Sequence, residues 1–390
     1  MEFNPALPNI MHVDLNSCFA SIEQQANPLY RGRPLVVAAY TTGNGCILAS
    51  SCEAKALGIK TGMAVAEGKH IYPRLIVLPP DPPKYREVNK KLYALLSSYT
   101  PDISIESIDE MVLKMLNDKC QMLNIAKEIK KRIKEEIGEW LTVSIGISTN
   151  RYLAKVASNL HKPDGLDVIT GENIEQIFLK LKLEDLTGIK ERSANRLRFI
   201  GIMTAKDLLH APAQVISQKW WSRLQGYDDQ WDEKSDQKSF GQSFAMGHPH
   251  TPQEKETYQI LTQLVVKMGR RLRADGFAAR GIGVSLYYRD HTSWGNRKLL
   301  ANSIFSDNDY YFFAKKILEK APSKLIRILA VWTYHLVKNQ QESLLEMDQK
   351  KQRLTQALDA IADRWGEFTV TPARMINMEQ RVLDRIAFGR

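Results

Sequence analysis

The chain has 390 residues, 44% of them apolar and 25% charged, with a formal net charge of +10. Such a chain can bury sizeable cores and is expected to form a soluble protein of two to four domains with a polyanionic partner. No apolar run approaches a membrane span, and MEFNPALPNI lacks the basic and apolar blocks of a signal peptide, so the expected location is the cytoplasm. Cys18, Cys46, Cys52 and Cys120 make no CxxC pair and have no His at ligand spacing, which argues for reduced thiols over zinc or a disulfide framework.

Residues 10–15 alternate as a strand, with Asp14 on the side away from Val13. A helix follows over about 17–26, ended by Asn27-Pro28. Residues 33–80 read as short strands and Gly-rich turns around a helix at about 52–57. The run Pro79-Pro80-Asp81-Pro82-Pro83 reads as a boundary, and a helix is expected over 85–99. ISIESIDEM (103–111) alternates as one strand until Asp109 and Glu110 place two acids side by side. Helical periodicity returns over 125–137, a strand over 142–148, and a helix capped by Asn150 runs to about 160. This β-α-β-β-α-β order predicts an α+β layer with its sheet exposed on one face.

Residues 171–240 read as helical, with LTGI (186–189) and FIGI (199–202) as paired turns. Those turns suit helix-hairpin-helix units, whose glycines admit a DNA phosphate, and equally suit plain helix ends. After a polar stretch at 234–238, a second β-α-β-β-α-β module spans strand, helix (252–275), strands (281–289 and 297–305), helix (309–320) and strand (325–336). Residues 247–340 hold 15 Lys and Arg against 7 Asp and Glu, so most of the charge excess lies here. A solvated face is the ordinary reading of such charge, and contact with phosphates is the other. One further helix is expected near 349–365.

An acidic pair on a strand is ordinarily a solvated strand end. Asp14, on another strand, changes that reading, because divalent cations bound at phosphates need a few convergent carboxylates. HVDLNSCFASIE (12–23), LASSCEAKALGIKTGM (48–63), SIDE (107–110) and SIGISTNRYLAKVASNLHKPDG (144–165) together resemble, in order and spacing, the translesion DNA polymerases of the Y family, in its bacterial DinB/UmuC branch.

The resemblance implies an α+β right-hand polymerase: a ferredoxin-like palm (1–23 and 81–170), small fingers (24–80), a helix-hairpin-helix thumb (171–235), a linker (236–245), a β-α-β-β-α-β little finger (246–340) and a tail (341–390). It implies two Mg²⁺ ions, replaceable by Mn²⁺, on Asp14, Asp109, Glu110 and the Leu15 carbonyl, with Asp14 and Asp109 bridging both. Ser17, Cys18, Phe19, Lys55 and Lys162 would receive the deoxynucleoside triphosphate, Phe19 acting as a steric gate against a 2′ hydroxyl; read from periodicity alone, Phe19 is a core residue. Cys52 and Lys55 stand where the family usually has Tyr and Arg, so a bidentate fork is missing. Asn16 replaces an Asp found in many members.

Primer-template DNA would meet Gly188, Gly201, Arg270, Arg271, Arg289, Arg297 and Lys298. QESLL (341–345) resembles a degraded clamp-docking peptide, with Gln341, Leu344 and Leu345 as its contacts. A monomer of low fidelity, without proofreading, is implied. Two other readings stay open: a non-catalytic DNA-binding relative, which ordinarily lacks these carboxylates, and a nucleotide cyclase, which shares the metal chemistry.

Overall fold

The computed structural model describes residues 3–115, 119–227, 239–338, 346–377 and 381–382. Twelve strands lie among the described residues: β1 (Ile10–Leu15), β2 (Leu35–Ala38), β3 (Ile47–Ser50), β4 (Ile76–Leu78), β5 (Ile103–Ile105), β6 (Glu110–Lys114), β7 (Val143–Ser148), β8 (Leu166–Val168), β9 (Ser239–His250), β10 (Phe277–Tyr288), β11 (Ser293–Ile304) and β12 (Ile326–Lys338). The chain divides into two compact units, one running to Asp232 and the other starting at Glu233.

The first unit is built on a five-stranded sheet of order β5-β6-β1-β7-β8. Met11, Val13 and Leu15 alternate into a core with Leu113, Ile145 and, from the helix Pro82–Ser97, Leu92 and Leu96. The sheet is not open on one face, as the pattern predicted. Every residue of β1 and β7 is buried, because the helix Arg151–Leu160 lies across the second face. A Cβ at Gly146 would stand 2.0 Å from the Ala154 carbonyl oxygen, so only glycine lets that helix come so close.

Two local readings are corrected by hydrogen bonding. Residues 103–111 are two strands, since the amides of Glu106 and Ser107 both donate to the Glu110 carbonyl and reverse the chain. No Gly, Pro or Asn marks that turn. The helix expected from 85 starts earlier, at Pro82 within the proline run: Asp81 accepts from the Lys84 amide at 3.2 Å, and Pro82 and Pro83 fill the first turn, where a missing N–H costs nothing.

A smaller sheet, β3-β2-β4, has its own core around Val36, Ile47 and Val65. Short helices between Ile174 and Leu224 enclose a third core around Phe178 and Leu208.

In the second unit the sheet order is β11-β10-β12-β9, antiparallel throughout. The helices Lys255–Ala274 and Asp307–Leu318 share its core with Ile282, Val284 and Leu329. β9 begins at Ser239, inside the stretch expected to be linker. The described residues of the tail, 346–377 and 381–382, are part of this unit. Met375 and Val382 are buried, and the amides of Arg381 and Val382 donate to Gln263 Oε1 at 3.0 and 2.8 Å. No helix among the described residues is long and apolar enough to cross a membrane.

Candidate active site

Asp14 and Glu110 are direct cross-strand partners at the ends of β1 and β6. Their side chains therefore stand side by side on one face of the sheet, where like charges repel. Two lysines offset that repulsion: Lys162 Nζ lies 2.5 Å from Asp14 Oδ2, and Lys155 Nζ lies 2.5 Å from Glu110 Oε2. Burial pushes the Asp14 carboxyl up to about 6 even with Lys162 beside it. Burial also acts to raise Glu110, but the bond and charge of Lys155 outweigh it and hold that carboxyl below its ordinary value.

His12, two residues before Asp14, shares its face and is 1% exposed. Neither ring nitrogen has a hydrogen-bond partner, and Nε2 lies 4.0 Å from Glu110 Oε2. Burial holds this imidazole down at about 3, hence neutral. Ligand atoms of His12, Asp14 and Glu110 lie within 4.8 Å of one another.

Asp109 sits in the turn before β6, and its Oδ1 accepts from Ser107 Oγ at 2.5 Å. It lines the same cleft without joining that trio. The Leu15 amide donates to the Asp109 carbonyl at 2.9 Å, tying the turn to β1.

The cleft measures about 850 Å³ and is lined, among others, by Asp14, Ser17, Phe19, Lys55, Glu110 and Lys162. Leu15, Cys18, Cys52, Asp109 and Lys155 also reach it. Every nucleotide and metal residue expected from the sequence is thus brought to one place. Ser17 adopts a left-handed conformation, φ 51°, at the head of the helix Cys18–Ala26, and its hydroxyl accepts from Lys55 Nζ at 2.8 Å. Burial lowers the Lys55 ammonium. Burial also pushes the Cys18 thiol up, so this cysteine stays neutral. Cys52 Sγ stands 3.8 Å from Ser17 Oγ.

Phe19 is 9% exposed and stacks on Tyr85 with ring centroids 4.5 Å apart. It belongs to the core and to the cleft wall at once. Asn16 bonds Ser144 Oγ at 2.9 Å and accepts from the Asp164 amide at 2.8 Å, which anchors the loop carrying Lys162.

Lys155 and His12 were missed by reasoning from sequence. The usable signals were a lysine between buried Ala154 and Val156, and a histidine at i−2 from Asp14 on a strand. The carboxylates fit a hard divalent cation, since ammonium groups already stand in for positive charge on Asp14 and Glu110.

Elsewhere the expected residues divide. Gly188 and Gly201 adopt φ +86° and +88° in their turns, which suits the hairpin reading and the plain helix-end reading alike. Arg270 is corrected: its guanidinium is ion-paired with Asp363 at 2.6 Å and Glu367 at 3.4 Å, on the side the tail covers. Arg271 and Arg289 are exposed. Arg297 and Lys298 lie on opposite faces of β11, Arg297 over the Tyr334 ring and Lys298 over the Phe313 ring. Gln341, Leu344 and Leu345 lie outside the described residues.

The chain is similar to known proteins over most of its length. The impB/mucB/samB family matches residues 13–159, and its C-terminal domain matches residues 237–345. DNA polymerase IV of Pelotomaculum thermopropionicum is 30% identical over 385 residues, covering 93% of this chain and 94% of that one. DNA polymerase IV of Desulfatibacillum aliphaticivorans is 29% identical over 94% of this chain and 96% of its own. A solved Y-family DNA polymerase chimera, 25% identical, superposes with a TM-score of 0.75 over 85% of this chain and 99% of its own. The chain belongs to the impB/mucB/samB family, as a DinB-like member of the Y-family DNA polymerases.

Proposed function

We propose that the protein is a DNA-directed DNA polymerase that extends a primer 3′ end in translesion synthesis, and that the cleft around Asp14 and Glu110 is its nucleotidyl-transfer site. The observation that carries this reading is the cross-strand pairing of Asp14 with Glu110, in one cleft with Asp109, Lys55 and Lys162. When bound, two Mg²⁺ ions held by Asp14, Asp109, Glu110 and the Leu15 carbonyl would neutralise charge on the reacting phosphates. The chain's own residues do the rest. The amides at the head of the helix Cys18–Ala26 face the triphosphate with the positive end of the helix dipole. Lys55 and Lys162 bind its oxygens, and Phe19 closes the space beside the sugar C2′.

The proposed domain division places the palm at 1–23 and 81–170, the fingers at 24–80 and the thumb at 171–235. The little finger then begins near Ser239 and takes in the tail, a revision that the buried Met375 and Val382 support. Low fidelity and the lack of a proofreading nuclease rest on the family likeness, as does the use of Mg²⁺. Extension of a primed DNA template with four deoxynucleotides and Mg²⁺ tests the whole reading. No extension would leave the non-catalytic relative, and cyclic nucleotide formation from a lone triphosphate would favour the cyclase. Stable retention of a mismatched primer end tests the absence of proofreading.

A further inference from the structure

The last turn of the helix Lys119–Arg132 carries three basic residues, and two of them make the ordinary pairs four residues on, Lys131 with Glu135 at 3.8 Å and Arg132 with Glu136 at 2.5 Å. Lys130 does not. Its side chain is 17% exposed and reaches the loop that carries Lys162, where Nζ donates to the carbonyl oxygens of Asp164 at 2.5 Å and Gly165 at 3.3 Å. It also stands 3.1 Å from Asp164 Oδ1. The loop is held from two other sides, because the Asp164 amide donates to Asn16 Oδ1 at 2.8 Å and the Gly165 amide to Ser144 Oγ at 3.3 Å. Asp164 adopts φ 58°, a left-handed conformation that persists only where surrounding bonds enforce it. A Cβ on Gly165 would stand 2.3 Å from the His161 carbonyl oxygen, so the turn closes tightly behind Lys162.

This network leads to the cleft through Lys162, whose ammonium meets Asp14 Oδ2 at 2.5 Å. A lysine stem is flexible, so the place of that ammonium depends on a fixed backbone at its root. We propose that Lys130 is a positioning residue for nucleotide binding: by holding the carbonyls of Asp164 and Gly165 it keeps the loop in the form that aims Lys162 at the triphosphate. Lys130 itself does not line the cleft. The inference rests on the polymerase reading for the identity of the nucleotide. A loop that is ordered for only part of the time lowers apparent affinity by that fraction, and the loss falls on KM when the contact serves ground and transition states alike.

The test uses the full chain, with steady-state extension of a primed template and amide hydrogen exchange of the protein alone. Lys130→Met keeps the stem and removes the ammonium. It is expected to raise KM for the incoming deoxynucleotide at least about fivefold with kcat kept within about twofold, and Lys130→Arg should stay close to the unaltered chain. In a Lys162→Met background the same change should move KM by less than about twofold, because the group it positions is gone. The amides of Asp164 and Gly165 should exchange faster in Lys130→Met. Lys134→Met, which removes an ammonium 3.4 Å from Asp164 Oδ2, should alter neither KM nor that exchange. An unchanged KM, an equal effect without Lys162, or unchanged exchange would overturn the proposal. If the unaltered chain extends no primer, the polymerase reading fails by itself, and the exchange still decides whether Lys130 holds the loop.

Discussion

The two large sheets follow the same string of elements, β-α-β-β-α-β, yet order their strands differently. In the first unit the first and third strands of the string, β1 and β6, are neighbours inside the sheet; in the second, the inner strands are the second and fourth, β10 and β12. The consequence is chemical. The first order sets Asp14 opposite Glu110, while the second sets glycines opposite aromatic rings. Charge is handled differently too. The cleft meets its carboxylates with lysines at 2.5 Å, whereas the second sheet leaves Arg297 exposed.

The largest effect should come from the cleft. Alanine at Asp14, Asp109 or Glu110 is expected to lower primer extension by about three orders of magnitude or more, with DNA affinity retained. If Asp109→Ala alone kept its rate, the trio of His12, Asp14 and Glu110 would be the working site instead. In the second unit the largest effect should be on stability. Arg273 is buried between Asp307 and Asp359, with bonds of 2.6 and 2.8 Å to the latter. Arg273→Ala should cost that unit about 3–5 kcal/mol by removing the cation that Asp307 and Asp359 share, seen as an earlier unfolding transition.

The element string was legible because periodicity reports which face is buried; it held in the second unit, while in the first the expected strand 103–111 is two strands and the short β8 was not foreseen. Strand order was not, since nothing in the string β9 to β12 says which strands lie inside. The turn at Glu106 and Ser107 was invisible because it is made by main-chain amides to one carbonyl. The acids of the cleft were readable as motifs, but Lys155 was not, because its role depends on a helix crossing β1 and β7 from the far side. Arg270 failed for a related reason: its partners lie about 90 residues further along.

Lys155 offers a smaller, sharper test. Lys155→Met leaves Asp14 and Glu110 opposed without one of their two counter-charges. The metal-free protein should lose about 1 kcal/mol, and excess Mg²⁺ should restore most of it, because a cation then takes the ammonium's place. Equal losses in melts with and without Mg²⁺ would mean that Lys155 serves packing alone. Phe19→Ala should raise ribonucleotide incorporation about tenfold, equivalent to ~1.4 kcal/mol. It should also lower the melting temperature, as the Tyr85 stack is lost. A drop in melting temperature with unchanged sugar discrimination would make Phe19 a core residue only.

The smallest expected effect separates two neighbours. Arg297 and Lys298 carry the same charge one residue apart, and strand alternation sends them to opposite faces of β11. A contact with DNA made by the open face should involve Arg297 and not Lys298, whose ammonium lies 5.2 Å from the Phe313 ring on the helix side. Arg297→Ala should weaken binding of duplex and single strand alike and reduce the salt slope by about one. Lys298→Ala should leave that slope unchanged. Equal slopes for the two variants would mean that the sheet attracts DNA by net charge, with neither face favoured.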